Sequence, residues 1–449
     1  MKILFFSHYF PPEVNAPAAR THDHGRQWVR DGEEMTVITG RPNCPKGVIF
    51  DGYKNRLRPD REELDGIRVV RVWTIIAPTK GIYRRTLNYL SYLFSATWAG
   101  LFEPRPDVIV ATSPQFFCAW AGLLVGMIRR IPVVVEVRDI WPASIEAVGA
   151  IRNRPALGLL VLLEKAMYRW ARHIITVGDG YRQHIIERYP AGRDKVSIIT
   201  NGVDLGKIQP RDPDPQFLAE NGLEGKFVCS YIGTIGMAHG LSVVLRAAQL
   251  LKQKGRTDVA FLLVGDGAQR ADLEQRARMM GVDAMVRFLG LRPTGEVLKI
   301  LASSDVLLVH LRGCELFQTV IPSKIFETMA MQRPIIMGVT GEALDIVMRA
   351  NAGLPMRPDS EQDLVQAVET LIDRPELAAE LSAAGRRFVG EHYNRETLAD
   401  EYVGILRAIV EGRTPSPTRQ DLEASEARRE EGTAALAVDQ VNSGNSRGH

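Results

Sequence analysis

Pro210-Arg211-Asp212-Pro213-Asp214-Pro215 stands between two stretches of the same kind, and its position decides the fold. Three prolines in six residues remove backbone donors and fix φ, so no helix or central strand runs through them. Before this break, short apolar runs at 3–7, 35–39, 69–72, 108–111, 133–137, 174–177 and 196–200 alternate with helical periodicity, as at 18–30. After it the alternation resumes, with runs at 227–232, 259–264, 286–289, 306–309 and 335–337 and helices at 241–254 and 325–331. Such alternation builds a parallel sheet covered by helices on both faces. The expectation is an α/β chain of two doubly wound domains facing a ligand cleft, the first over 1–203, a linker over 204–225, the second over 226–384. Helices at 385–411 follow, the last returning to the first domain. Residues 412–449 are rich in Ser, Glu, Arg, Gly and Asn and nearly free of aromatics, which reads as a disordered tail.

The chain has 449 residues, 45% hydrophobic, which suits two domains and excludes fibrous or wholly disordered classes. Its four cysteines, Cys44, Cys118, Cys229 and Cys314, share no Cys-x-x-Cys spacing, so neither a zinc site nor a disulfide framework is supported and a reducing cytosol is the default. The apolar run at the start, Met1 to Ser7, is too short for a signal peptide and reads as a first strand. The net charge of +3 conceals an asymmetry: residues 1–203 hold 28 Lys and Arg against 19 Asp and Glu, residues 204–449 hold 28 against 34. A basic first half suggests a partner rich in phosphate or an anionic membrane surface, although a plain solvated surface gives the same count. Residues 116–128 and 157–163 are too short to span a bilayer. Arg84-Arg85-Thr86-Leu87-Asn88-Tyr89-Leu90 through Trp98 and Phe102 has the composition of a helix lying in a membrane interface, or equally of a core helix with aromatic packing.

The first strand runs into His8-Tyr9-Phe10-Pro11-Pro12-Glu13 rather than Gly-x-Gly-x-x-Gly, which disfavours a dinucleotide dehydrogenase. P-loop, His-Glu-x-x-His and Gly-x-Ser-x-Gly patterns are absent. Asp212 and Asp214, lodged among prolines, read as structural rather than as a metal motif. Ser230-Tyr231-Ile232-Gly233-Thr234-Ile235-Gly236-Met237-Ala238-His239-Gly240 is a strand entering a glycine-rich turn, which offers backbone N–H groups to a phosphate. Val264-Gly265-Asp266-Gly267 repeats the form. In Thr319-Val320-Ile321-Pro322-Ser323-Lys324-Ile325-Phe326-Glu327, Pro322-Ser323 marks a helix start, Lys324 falls in its first turn and Glu327 one turn on. An ammonium there can neutralise a diphosphate while the carboxylate accepts from ribose hydroxyls; a capping box from Ser323 to Glu327 is the structural alternative. Arg138-Asp139 ends a buried strand, where open α/β sheets place ligands; Asp139 could orient an acceptor hydroxyl and Arg138 meet a phosphate, or the two could merely pair. His8 lies at a carboxyl end as well, while His22 and His24 read as surface or packing residues.

These residues resemble retaining glycosyltransferases of family 4, with two Rossmann-like domains in the GT-B arrangement, over roughly 1–411. The resemblance is carried by Asn201-Gly202-Val203-Asp204, Gly233 to Gly240, Leu263-Val264-Gly265-Asp266-Gly267, Val286-Arg287-Phe288-Leu289-Gly290 and Glu327-Thr328-Met329-Ala330 with Arg333-Pro334. Tyr9-Phe10-Pro11-Pro12-Glu13, Arg138-Asp139-Ile140-Trp141-Pro142 and Ile321-Pro322-Ser323-Lys324 look like a bacterial surface-polysaccharide subgroup that includes colanic-acid and N-acetylfucosamine transferases. The family's Glu, seven residues, Glu pattern becomes Thr319 and Glu327; its diphosphate Arg and Lys become Thr234 and His239; its His-Asp becomes Arg138-Asp139. The resemblance implies a hexosyltransferase that retains anomeric configuration and takes a nucleotide-diphosphate sugar as donor, UDP- rather than GDP-. The acceptor it implies is a polyprenyl-diphosphate-linked saccharide, met at the inner face of the cell membrane by a cytoplasmic, peripheral enzyme. Expected donor-site residues are Gly233, Thr234, Gly236, His239, Gly265, Asp266, Thr319, Ser323, Lys324 and Glu327, with Lys324, Arg138 and Asp139 in catalysis. No cofactor, metal or nucleic-acid partner is expected. A sugar-nucleotide epimerase of similar build and a non-catalytic sugar-nucleotide-binding protein stay open as alternatives.

Overall fold

The computed structural model describes residues 1–44, 47–76, 82–113, 115–142, 154–314 and 318–428. The chain forms two compact units, one of residues 1–200 with 396–449, the other of 201–395.

In the first unit β1 (Lys2–Phe6), β2 (Glu34–Thr39), β3 (Asp60–Leu64), β4 (Ile67–Arg71), β5 (Val108–Ser113), β6 (Val133–Val137), β7 (His173–Thr176) and β8 (Val196–Ile198) make one sheet. Its order is β3-β4-β2-β1-β5-β6-β7-β8, parallel except for the β3–β4 hairpin. Strands buried on both faces read as unbroken apolar runs, which is why β5 and β6 are wholly buried. Helices Ile82–Phe102, Phe116–Arg129 and Arg154–Trp170 supply the core of one face through Tyr92, Ala96, Phe116, Leu123, Met167 and Tyr168. The other face takes helix Ala16–Arg30 and the returning helix Arg395–Val410, through Trp28, Leu398, Tyr402 and Leu406. The Trp28 indole N–H donates to the Ala399 carbonyl at 2.9 Å, fixing that return.

In the second unit β9 (Phe227–Ile232), β10 (Val259–Val264), β11 (Val286–Gly290), β12 (Val306–His310), β13 (Ile335–Gly338) and β14 (Gly353–Pro355) form a parallel sheet in the order β11-β10-β9-β12-β13-β14. The expected two-sheet α/β architecture is what the chain adopts.

Three boundaries differ from expectation. Residues 204–225 belong to the second unit, because Leu223, Phe217 and Leu218 pack into its core and the Asp214 N–H donates to the Ser303 hydroxyl at 2.9 Å, while Asp214 also caps helix Pro215–Glu220 by accepting from the Gln216 and Phe217 N–H groups, each at 3.1 Å. Helix Pro375–His392 also stays in that unit, so only Arg395–Val410 crosses back. The tail is ordered as far as 428: the Thr418 hydroxyl donates to the Ile198 carbonyl at 2.9 Å, Asp421 accepts from the Ile198 N–H at 3.1 Å and Gln420 from the Thr200 N–H at 2.8 Å. β8 is an edge strand with open backbone groups, and polar tail side chains satisfy them where apolar packing is lacking. Residues 429–449 lie outside the described residues. Among the described residues no helix is long and apolar enough to cross a membrane.

Candidate active site

Each sheet reverses its strand order beside its first strand, between β1 and β5 and between β9 and β12. Carboxyl strand ends at such a reversal leave a crevice.

In the second unit, β9 runs into Gly233 at φ +149°. A β-carbon there would lie 2.7 Å from Lys324 Nζ, so the missing side chain is what admits the ammonium. Gly265, at φ +135°, lies against the same turn, and a β-carbon on it would come within 1.9 Å of the Gly233 oxygen. The turn is pinned by Gly233 N–H to the Val264 carbonyl at 2.8 Å, by Ile235 N–H to the Asp266 carbonyl at 3.0 Å, and by the Tyr231 hydroxyl, which donates to the Thr234 carbonyl at 2.8 Å. Lys324 Nζ stands 4.0 Å from the centre of the Tyr231 ring, within cation–π range. Among the described residues no carboxylate or carbonyl pairs with that ammonium. Burial brings its pKa down to about 8, with Glu327 pulling weakly the other way.

His239 completes the group. Burial, then the Lys324 charge, lowers its pKa to about 4, so it is neutral near pH 7, and its Nδ1 is buried without a partner. Its carbonyl accepts from His310 Nδ1 at 2.7 Å, while His310 Nε2 accepts from the Asp359 N–H at 2.9 Å, which fixes the His310 tautomer. Glu327 is pushed upward by burial, and Arg395 and Lys324 hold it back.

Gly233, Thr234, Gly236, His239, Gly265, Lys324 and Glu327 therefore come together as expected. Ser323 makes no side-chain capping bond, so the capping-box alternative fails. The helix Lys324–Ala330 has seven residues, too short for its dipole to add much, and the field comes from the ammonium itself. Asp266 is exposed and its carboxylate accepts from the Gly267 N–H at 2.8 Å, a role inside the turn. Thr319 lies on the segment leading into that helix. The sequence reading passed over Tyr231 and His310. Tyr231 sits within a β-strand with no motif to mark it; only the approach of Lys324 gives it a role.

In the first unit Arg138 and Asp139 follow β6. They do not pair with one another: Arg138 Nε and Nη1 are buried without an acceptor. Burial brings the Arg138 guanidinium down to about 10 and raises Asp139 to about 6, where Arg138 opposes the rise. Beneath them Glu136 takes Arg20 Nε at 2.9 Å, and Arg20 also donates to the Thr200 and Ile199 carbonyls at 2.6 and 2.7 Å. Burial works against the Glu136 charge, yet Arg20 and Arg138 keep its pKa low. At the end of β1, His8 is held neutral, its pKa lowered to about 4 by burial among the rings of Tyr9, Tyr89 and Tyr92 at 4.7, 5.5 and 4.8 Å. Gln115, after β5, is buried with both amide atoms unpartnered. The two clusters thus offer an ammonium with no ion-pair partner among the described residues, set against a glycine turn, and a buried guanidinium beside a carboxylate whose pKa is raised to about 6.

Residues 15–202 match the glycosyl transferase 4-like domain and residues 226–374 the glycosyl transferases group 1 domain. The chain belongs to the glycosyltransferases. Among relatives, WcaI of Escherichia coli strain K12, a glycosyl transferase ascribed to colanic acid biosynthesis, is 24% identical over 91% of this chain and all of its own. The 2-deoxystreptamine glucosyltransferase of Streptomyces kanamyceticus is 26% identical over 67% of this chain and 74% of its own. Anabaena HepE in complex with UDP superposes with a TM-score of 0.65 at 16% identity, over 91% of this chain and 100% of its own. The sucrose-phosphate synthase of Thermosynechococcus elongatus does so at 0.70 and 16%, over 92% and 99%. The chain has the GT-B fold of these two solved transferases.

Proposed function

We propose that this glycosyltransferase moves a sugar, with retention, from a UDP-sugar to a polyprenyl-diphosphate-linked saccharide in bacterial surface-polysaccharide synthesis, working at the inner face of the cell membrane. The observation that carries the reading is the Lys324 ammonium, seated over Tyr231 and against Gly233 and without an ion-pair partner among the described residues. Charge develops on the departing diphosphate, so a preorganised cation at that point stabilises the transition state more than the ground state. The Thr234 and Gly236 N–H groups would add neutral donors, those of Gly233 and Ile235 being taken by the Val264 and Asp266 carbonyls, and Glu327 is placed one helical turn on for ribose hydroxyls. HepE, a structural neighbour, has been captured with UDP and with UDP-glucose, which supports the choice of donor. WcaI and WaaG, the latter a transferase of lipopolysaccharide biosynthesis, support the choice of pathway class.

On the acceptor side Arg138 would meet a phosphate and Asp139 orient the attacking hydroxyl. The bond from the anomeric carbon to the diphosphate oxygen breaks as the bond to the acceptor oxygen forms. The hydroxyl proton passes to the leaving phosphate oxygen on the same face, which accounts for retention without a protein nucleophile. No step calls for a metal. The test is mass spectrometry of products after offering UDP- and GDP-sugars with a bacterial membrane extract. A hexose added to a lipid-linked species by the wild type and not by Lys324→Ala is expected. Conversion of the donor with no acceptor present would replace this reading with the epimerase.

A further inference from the structure

The three helices over one face of the first sheet turn an unusual surface outward. Phe94, Trp98 and Phe102 recur at every fourth residue of Ile82–Phe102 and so form one stripe, 71%, 65% and 67% exposed. The rings of Trp98 and Phe102 stand 4.9 Å apart. Helix Phe116–Arg129 packs beside this one and exposes Ile128, and Arg154–Trp170 exposes Leu159 and Leu162. Large apolar side chains facing water on neighbouring helices mark an interaction surface. On the opposite face, helices Ala16–Arg30 and Arg395–Val410 leave only Val410 exposed among their large apolar residues.

The charge on the patch has one sign. Segments 82–105, 116–130 and 154–172 contain nine Arg and Lys and two carboxylates, Glu103 and Glu164, and both carboxylates are buried. Beyond the three helices, Asp107 and the carboxylates of strand Asp60–Leu64 lie exposed, but on the helices themselves the exposed charges are cationic, and aromatic and aliphatic side chains among cations match an anionic lipid surface, with rings at the headgroup level and Arg and Lys on phosphates.

We infer that this three-helix face docks flat on an anionic membrane leaflet. The inference deepens the proposed acceptor chemistry and rests on it in one respect: Tyr89, on the same helix as the stripe, lies 5.5 Å from His8 ring to ring. Nine residues separate it from Trp98, about 13 Å along a helix axis. The stripe therefore starts within about 13 Å, along the helix, of the level at which β1 ends, and Arg138 and Asp139 follow β6, which pairs with β5 beside β1.

The full chain is floated with vesicles of phosphatidylcholine, with or without phosphatidylglycerol. The wild type is expected to float with the phosphatidylglycerol vesicles and to be released by salt, which screens the cations. The double variant Trp98→Glu, Phe102→Glu is expected to partition about tenfold less or worse, with an unchanged unfolding midpoint and unchanged UDP affinity. Wild type that stays unbound with anionic vesicles, or a double variant that floats as well as wild type, would overturn the inference. So would a wild-type dimer that the double variant dissolves, since a second copy would then own the face. Flotation is read without donor or acceptor, so a chain that docks but transfers nothing refutes the proposed activity and leaves the docking face standing.

Discussion

Raising the pH through the ionisation of Lys324 separates its role as a charge from its role as packing. With its pKa brought to about 8 by burial, the ammonium is about nine-tenths charged at pH 7 and about one-tenth charged at pH 9. If only the charged form stabilises the departing diphosphate, kcat/KM falls about tenfold between those values and about tenfold for each further pH unit. A bound donor favours the ammonium, so the same limb in kcat lies higher. In Lys324→Ala the plateau drops by about 10²–10³, the usual loss for one preorganised donor at a developing oxyanion, and the limb disappears. Stability moves the other way. A lysine whose folded pKa lies below 10.5 is bound to more protons when unfolded, so the native state gains stability as pH rises through the window from about 8 to 10.5. Activity lost in that window is therefore not unfolding. Initial rates over the range, with a parallel thermal-unfolding series, decide the matter. A kcat/KM that is level past pH 9, or a Lys324→Ala variant that keeps the limb, refutes the reasoning.

Asp139→Asn should abolish an acid limb near pH 6 in the rate profile and lower kcat by about 10²-fold or more. The same variant should raise the unfolding midpoint at pH 7 and leave it unchanged at pH 3. The Asp139 pKa is raised by burial to about 6, so the native state loses stability as pH climbs from 3.8 to about 6, and the amide escapes that cost. Gly265→Ala should abolish UDP binding measured by calorimetry while the protein remains folded: the φ of +135° alone costs about 1–3 kcal/mol, and the methyl collides with the Gly233 carbonyl. Thr418→Ala with Asp421→Ala should cost about 1–3 kcal/mol in denaturant unfolding, because Ile198 loses partners for both its N–H and its carbonyl, and UDP affinity should not change.

The two sheets were legible because their strands are buried on both faces, which writes each as an apolar run such as Val133–Val137 or Val259–Val264. Strand Asp60–Leu64 was not legible. It reads Asp-Arg-Glu-Glu-Leu, lies exposed at the sheet edge and has no apolar face to record. Its one signal is the turn that follows, Asp65-Gly66, both at positive φ (+50° and +79°), a hairpin pair the sequence displays openly. The tail misled for a related reason. Composition measures the apolar surface a segment can bury, whereas Thr418, Gln420 and Asp421 earn their place by hydrogen bonds to an edge strand, and no composition rule counts those. Of the candidate site, the glycine turn and Lys324 were legible as types at the right strand ends. That Arg138 and Asp139 stand unpaired was not, since adjacent opposite charges in sequence read most simply as an ion pair.

The electrostatics of the donor cluster follow from what the chain lacks. Where the family pattern places two further cations, it has Thr234 and a His239 whose pKa of about 4 keeps it neutral. The neutrality of that imidazole is partly Lys324's doing, since a second positive charge beside the ammonium is disfavoured in a desolvated pocket. Lys324 in turn is lowered by burial, which Glu327 offsets only in part. The site therefore holds one unneutralised charge at a depth where counter-ions screen it poorly, and each missing cation makes the remaining one more dependent on the arriving diphosphate. An anion entering there raises the Lys324 pKa as it binds, so donor binding and proton uptake are coupled at a single atom.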